Sequence, residues 1–268
     1  MKLNKVNEFT HYQEIVDTYK RKGCLTNDYL NAKAINLVNN DALYEYCEDD
    51  NAFLFVKKNG FYRVYYYLND LSKPIDFIHD ELVTEILFRN NEKIIEEEIS
   101  FLERCGFKKN LIRDQYAGIY RDFSVPSSAP GIIISEAQKK SEVQWASELF
   151  NDSFDKWSGD YITKDRHELL LDNHAILTAK NRQGEMLGAL HQAIEKGVAW
   201  ISHIAVVKQE RGNGIGKALI DAFIEYNHID DKSRYMLWVQ RKNIAAINMY
   251  KQKGFKYINK STISLIKL

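Results

Sequence analysis

The chain has 268 residues, enough for two domains of ordinary size. Apolar residues make up 45% and charged residues 28%, a globular balance that excludes a disordered or fibrous protein. With 37 basic and 37 acidic residues there is no electrostatic case for nucleic acid or a membrane surface as partner. No stretch approaches the roughly 18 apolar residues of a membrane-spanning helix. Cys24, Cys47 and Cys105 are odd in number and lack zinc-like spacing, so they read as reduced thiols. The opening MKLNKVNEFTHYQEI has no apolar core of a signal peptide, and the expected location is cytoplasmic.

In the first half, DDNAFLFVKKNGFYRVYYYL (49–68) reads as strand, basic turn and strand. Tyr65 and Tyr67 share one face, as core or as the lining of a pocket. LVTEILFRNNEKIIEEEISFLERCGFKKN (82–110) reads as a strand, a polar step and an amphipathic helix with Ile94, Ile95, Ile99 and Leu102 as its apolar stripe. RDFSVPSSAPG (121–131) holds two of the three prolines and reads as a linker. The expected division is a first domain over 1–122, a linker over 123–130 and a second domain over 131–268.

The second half begins with a strand at 131–137. A helix follows over 141–154, with Ser141 as a candidate cap and Val143, Ala146, Leu149 and Phe150 on one face. A second helical segment covers KDRHELLLDN. Three strands then run from His174 to Val207, with turns at Arg182–Gly184 and Glu195–Gly197. QERGNGIGKALI (209–220) packs three glycines and two positive charges into a loop that becomes a helix, with Ile215, Leu219, Ala222, Phe223 and Tyr226 facing inward. A strand at RYMLWVQ, a helix ending at Gly254 and a closing strand complete the chain.

The two halves echo one another. Segment 49–68 resembles LDNHAILTAKNRQGEMLGAL (171–190), and 82–110 resembles YMLWVQRKNIAAINMYKQKGFKYIN (235–259). The repeat is long, which means domain duplication rather than a solenoid. Between the echoes the second half carries a strand, the glycine loop and its helix, where the first half has only the glycine-free NDLSKPIDFIHDE. A ligand site built on that loop belongs to the second half alone.

The loop is neither of two common phosphate motifs. A P-loop would need glycine at Arg211 and a hydroxyl at Ala218; a dinucleotide fingerprint would need glycine at Lys217. Backbone N–H groups entering a helix still form an anion site, and a pyrophosphate suits it. The alternative is a tight turn with solvated charges.

IAVVKQERGNGIGKAL resembles the acyl-CoA-binding motif of the GCN5-related N-acetyltransferase (GNAT) superfamily, with Arg211, Gly214 and Gly216 in its spacing. VQRKNIAAINMYKQKGFKYI resembles that superfamily's next motif through Asn243, Tyr250, Gly254 and Phe255. The resemblance covers about residues 131–268; the first half matches in outline only. It implies two α/β GNAT-like domains, each a mixed, mostly antiparallel sheet flanked by helices, the first a degenerate copy without the loop. It also implies an N-acetyltransferase that passes an acetyl or short acyl group from acyl-CoA to a primary amine by direct attack, with no metal. The backbone of Ile204, Ala205 and Val206 would pair with the pantetheine amides. Arg211, Gly212, Asn213, Gly214, Ile215, Gly216 and Lys217 would hold the pyrophosphate, and Asn243 the pantetheine arm.

Tyr250 would protonate the leaving thiolate, or else is a core aromatic; Asn243 could equally be a helix N-cap. Members of the family often place a glutamate base on the strands flanking the loop, and this chain has none there. His203 is the best-placed titratable side chain, ahead of His191, against the reading of a packed strand histidine. Asp160 and Tyr161 could line the acceptor site. The acceptor would be a small-molecule or peptide amine, and the protein a monomer or homodimer. The alternative function is a non-catalytic acyl-CoA-binding sensor or scaffold.

Overall fold

The computed structural model describes residues 2–77, 81–124, 129–157 and 161–268. In its first part the elements are β1 (Asn4–Lys5), α1 (Phe9–Tyr19), β2 (Leu25–Thr26), α2 (Lys33–Asn39), β3 (Leu43–Glu48), β4 (Asn51–Lys57), β5 (Tyr62–Leu68), β6 (Leu82–Arg89), α3 (Glu96–Arg104) and β7 (Lys108–Ile119). They continue with β8 (Ile133–Glu136), α4 (Lys140–Ser153), α5 (His167–Asp172), β9 (Ile176–Lys180), β10 (Met186–Glu195), β11 (Val198–Val206), α6 (Ile215–Tyr226), β12 (Arg234–Gln240), α7 (Ile244–Lys253) and β13 (Lys256–Lys267).

The chain packs into two compact units, Met1–Ile112 with Lys260–Leu268, and Arg113–Asn259. These borders differ from the expected ones at 122 and 131, and strand pairing is the reason. The second half of β7 pairs with β12, from Arg113↔Gln240 to Ile119↔Arg234. The greater part of β13 pairs with β6, from Lys260↔Arg89 to Lys267↔Leu82. Each unit therefore draws one strand from a distant stretch of sequence. Of the expected linker, residues 125–128 lie outside the described residues.

In the first unit the strands run β1-β3-β4-β5-β6-β13, with β2 added to β5. All its pairs are antiparallel except β5–β6. Phe53, Phe55, Tyr66, Phe77, Phe101 and Phe107 fill one core on the α3 side. Tyr12, Ile15, Val38, Leu54 and Tyr67 fill the other under α1 and α2. Alternation along β4 and β5 sorts these residues between two faces, so both faces are covered and the strands read as nearly continuous apolar runs. Tyr67 is core, as the pattern allowed. Ile94 departs from the expected stripe and is 71% exposed, because the first turn of that segment is a 3-10 turn that breaks the α period.

The second unit runs β7-β12-β11-β10-β9-β8, again with one parallel pair, β11–β12. Matching the parallel pairs makes β5 the counterpart of β11, and β4 that of β10. The sequence echo that set 49–68 against 171–190 was therefore one strand out of step. The first unit does have the strand; it lacks the loop and helix that follow. Among the described residues of 69–81 there is no helix, and Ile75 and Phe77 tuck into the core instead. Residues 78–80 lie outside the described residues.

The predicted helices of the second unit form, with small differences. Lys139, not Ser141, occupies the N-cap position of α4 and makes no side-chain cap. Tyr226 is half-exposed, at the end of α6 where the helix leaves the sheet.

Candidate active site

The site begins with an irregularity in β11. Opposite β10 the register runs Gly188↔Val206 to His191↔His203, then resumes at Gln192↔Ile201, so Ser202 is an extra, bulged residue. The bulge reverses the alternation. Before it, Ala199 and Ile201 face the core under α6; after it, Ile204 and Val206 do, while Ala205 faces the core under α4. The parallel ladder to β12 stops at the same place, with Ile201↔Leu237 its last pair. Beyond it, β11 has no partner strand on that side among the described residues.

Val207 N–H donates to Leu187 O at 2.9 Å. By antiparallel alternation, the N–H and C=O of residues 204 and 206 then point away from β10, to the open side. Ala205 turns its backbone toward β10. Of the three residues expected to pair with a pantetheine arm, Ile204 and Val206 turn backbone groups away from β10. One of the exposed acceptors is already used, since Arg211 Nε donates to Val206 O at 3.1 Å. Arg211 thus ties the loop to the end of the strand.

The loop enters α6 through two left-handed residues, Gly212 with φ +90° and Gly214 with φ +81°. A Cβ on either would meet nothing within 4 Å, so these glycines are required by backbone conformation and leave open space in front. Gly216 differs, since its Cβ would stand 3.2 Å from Met249 Sδ; there glycine lets α7 approach α6. Gly188 is another close approach, with Ala205 O 2.9 Å from its would-be Cβ. Ala218 N–H donates to Gly214 O, the first bond of the helix, so the N–H groups of Ile215, Gly216 and Lys217 have no intrahelical acceptor. Arg211, Gly212 and Asn213 are exposed, and the Asn213 amide donates to Glu210 Oε2 at 3.1 Å. Ile215, Leu219, Ile220, Phe223 and Ile224 are buried and seat the helix.

α7 carries the second motif. Asn243 caps it, its Oδ1 accepting from Ala246 N at 3.1 Å, and Gly254 ends it at φ +111°. A Cβ on Gly254 would lie 2.5 Å from Asp122 O, so here the glycine is also a steric requirement. Tyr250 is 4% exposed, in the same core as Ile204 and Val206, edge-on to Phe255 at 5.9 Å. Burial pushes its phenol well above the ordinary value, so it stays protonated. A buried ion pair between Lys253 and Asp221 joins α7 to α6, and so couples the Tyr250 helix to the helix that follows the glycine loop.

His203 falls on the other face. It is buried, stacked on Phe150 at 5.3 Å and near Phe154 at 5.2 Å, with its Nδ1 3.1 Å from His191 Nδ1. The fold brings the two histidines together and sets them in a different core from Tyr250. One ring must donate in that bond and the other accept, so both cannot carry a proton on Nδ1. Tyr161 is 44% exposed; Asp160 lies outside the described residues. Among the described residues no three His, Cys, Asp or Glu side chains gather as a metal site, and no helix is long and apolar enough to cross a membrane.

Residues 141–255 match the acetyltransferase (GNAT) family model, spanning α4, β11, the loop, α6 and α7. That segment is therefore similar to a GNAT acetyltransferase domain. Solved structures extend the likeness. A GCN5-related N-acetyltransferase from Sphaerobacter thermophilus matches at TM-score 0.61 and 13% identity, over 81% of this chain and 76% of that one. A tandem GNAT protein from the clavulanic acid biosynthesis pathway matches at TM-score 0.62 and 12% identity, over 99% and 98%. A GCN5-related N-acetyltransferase from Kribbella flavida matches at TM-score 0.56 and 14% identity, over 88% and 93%. At such identities the likeness is one of fold, and it covers both GNAT-like units. No curated protein matches the chain in sequence.

The bulge at Ser202 and the open edge behind it were missed in the sequence. The available signal was a glycine inside the neighbouring strand, at Gly188, which marks close backbone approach.

Proposed function

We propose that the second unit is an acyltransferase that passes an acetyl or other short acyl group from acyl-CoA to a primary amine. The observation that carries this is the conjunction of a strand edge open at Ile204 and at the Val206 N–H with the glycine loop at the mouth of α6. Amides of a pantetheine arm suit the former, in the manner of an added strand. Backbone N–H groups of 212–217 suit a pyrophosphate, with Arg211 and Lys217 adding attraction. The fit is chemical: donors and acceptors at the edge, donors alone at the loop.

In this reading the amine first gives up its proton. Its nitrogen lone pair then attacks the thioester carbon, the C–N bond forms, the C–S bond breaks, and the thiolate takes a proton to leave as thiol. Tyr250, held protonated by burial, donates to the departing sulfur. His203 takes the proton from the amine. If His203 donates through Nδ1 to His191, its Nε2 carries the lone pair that this needs. Asn243 holds the start of α7 and, with it, the placement of Tyr250.

A second reading is a non-catalytic acyl-CoA-binding sensor. It is favoured by the burial of His203 among Phe150, Phe154 and His191, away from Tyr250. Tyr250→Phe separates the two. An enzyme loses turnover by about 10²–10⁴-fold while its affinity for acetyl-CoA is kept. Unchanged thiol release in Tyr250→Phe removes Tyr250 from the mechanism. The reading is of a soluble, cytoplasmic protein, monomer or homodimer, acting on a small-molecule or peptide amine.

A further inference from the structure

The first unit repeats the geometry that leaves β11 open, but there the gap is filled. The parallel ladder of β5 and β6 stops at Val64↔Thr84, as that of β11 and β12 stops at Ile201↔Leu237. Beyond it, β5 does not present an empty edge. β2 lies against it, Leu25↔Leu68 and Thr26↔Tyr67. Thr26 Oγ1 donates to Tyr66 O at 2.6 Å, and Tyr66 N–H donates to Asn27 Oδ1 at 2.9 Å. Both backbone groups of Tyr66 are thus satisfied by the chain itself.

Asn27 bridges the gap to β6. Its Nδ2 lies 2.9 Å from Thr84 Oγ1, 3.1 Å from Glu85 O and 3.3 Å from Val64 O, and the residue is 2% exposed. Asp28 locks the segment down. Its carboxylate accepts from Tyr12 at 2.8 Å, from Tyr67, and from Leu30 N–H at 2.8 Å. A side-chain carboxamide in this position offers the same donor and acceptor as an amide of a carrier arm.

We propose that Leu25–Asp28 is a built-in substitute for the carrier arm, which closes the first unit's slot permanently and leaves one acyl-carrier site per chain. The inference rests on the function proposed above for the second unit, and it explains how the first unit dispenses with a glycine loop. Such a slot has no free hydrogen-bonding edge to offer, and opening it would strand Tyr66, Val64 and Glu85 backbone groups in the interior.

Amide hydrogen exchange on the full chain, with and without saturating coenzyme A, tests it. The expected result is protection rising by about tenfold or more over 202–217, while Tyr65–Leu68 is slow from the start and does not respond. Titration calorimetry should give one coenzyme A per chain. Added protection at 64–68 as well as 202–217, with two molecules bound, overturns the substitute and leaves the second-unit reading intact. No change at 202–217 overturns that reading and the substitute with it. In Asn27→Leu or the milder Thr26→Val, Tyr66 exchange should accelerate while affinity for coenzyme A stays within about twofold; unchanged Tyr66 exchange in both variants also overturns the proposal.

Discussion

Gly214→Glu separates carrier binding from folding. Residue 214 sits at φ +81° with no atom within 4 Å of its would-be Cβ, so the new Cβ meets no clash. The left-handed backbone costs a non-glycine residue about 1–2 kcal/mol. A carboxylate at a helix N-terminus returns about 0.3–1 kcal/mol. The net loss is at most about 2 kcal/mol, a fall in melting temperature of up to roughly 8 °C for a unit of this size. Carrier binding should suffer far more. A carboxylate about 4 Å from one phosphate charge is repelled by about 4 kcal/mol at an effective dielectric of 20. Halved by salt screening this is about 2 kcal/mol, roughly a 30-fold loss of affinity. Gly214→Lys is the control, with the same backbone strain and the opposite charge. Calorimetry with coenzyme A, beside a thermal melt, reads both quantities. If the Glu and Lys variants fold and bind coenzyme A equally, no diphosphate is held at this loop and the reasoning fails.

Asn243→Ala removes the cap of α7 and should cost about 1 kcal/mol of stability, whereas Asn243→Ser keeps a capping oxygen and most of the stability. If Asn243 also holds the carrier, the Ser variant will bind acetyl-CoA more weakly than its melting temperature suggests; matched losses would leave it a cap alone. His203→Phe preserves the stack on Phe150 and Phe154 and removes the imidazole. Turnover should drop by about 10²–10⁴-fold; retained turnover would make His203 a packing residue. In the first unit, burial pushes the Glu98 carboxyl above its usual range against the lowering effect of the Tyr66 hydroxyl. A raised carboxyl favours the protonated folded state, so its contribution is full below about pH 4.3 and is lost as pH rises through the raised value. Glu98→Gln should therefore gain melting temperature relative to the parent at pH 8 and less at pH 4; an equal difference at both would contradict the shift.

The parts of this protein written in local spacing were readable. Gly214 and Gly254 stand where backbone conformation admits little else, and Asn243 and Tyr250 lie on one short helix whose cap and stop are in the sequence. What could not be read depends on pairing between distant segments. The alternation of β11 gives no sign that Ser202 is extra, because only the register with β10 defines it. The repeat was aligned one strand out because Asp-Asn before a strand recurs before both β4 and β9, while the topology is fixed by where the parallel pair falls. The closing strand looked like the end of the second domain; the greater part of it completes the first. Leu25 and Thr26 form a strand too short for any periodicity, yet with Asn27 they decide which slot is filled. Alternation from Ala199 and Ile201 would set His203 on the Tyr250 face, and the bulge sets it against Phe150 instead.

The account's central claim is acyl transfer to an amine, and product analysis tests it most directly. With acetyl-CoA and a broad panel of small amines and peptides, the full chain should release thiol and form acetylated amine in equal amounts for at least one acceptor, and Tyr250→Phe should suppress both together. Tight binding of acetyl-CoA with no thiol released above the uncatalysed background, for every acceptor, would contradict the claim and make the second unit a sensor.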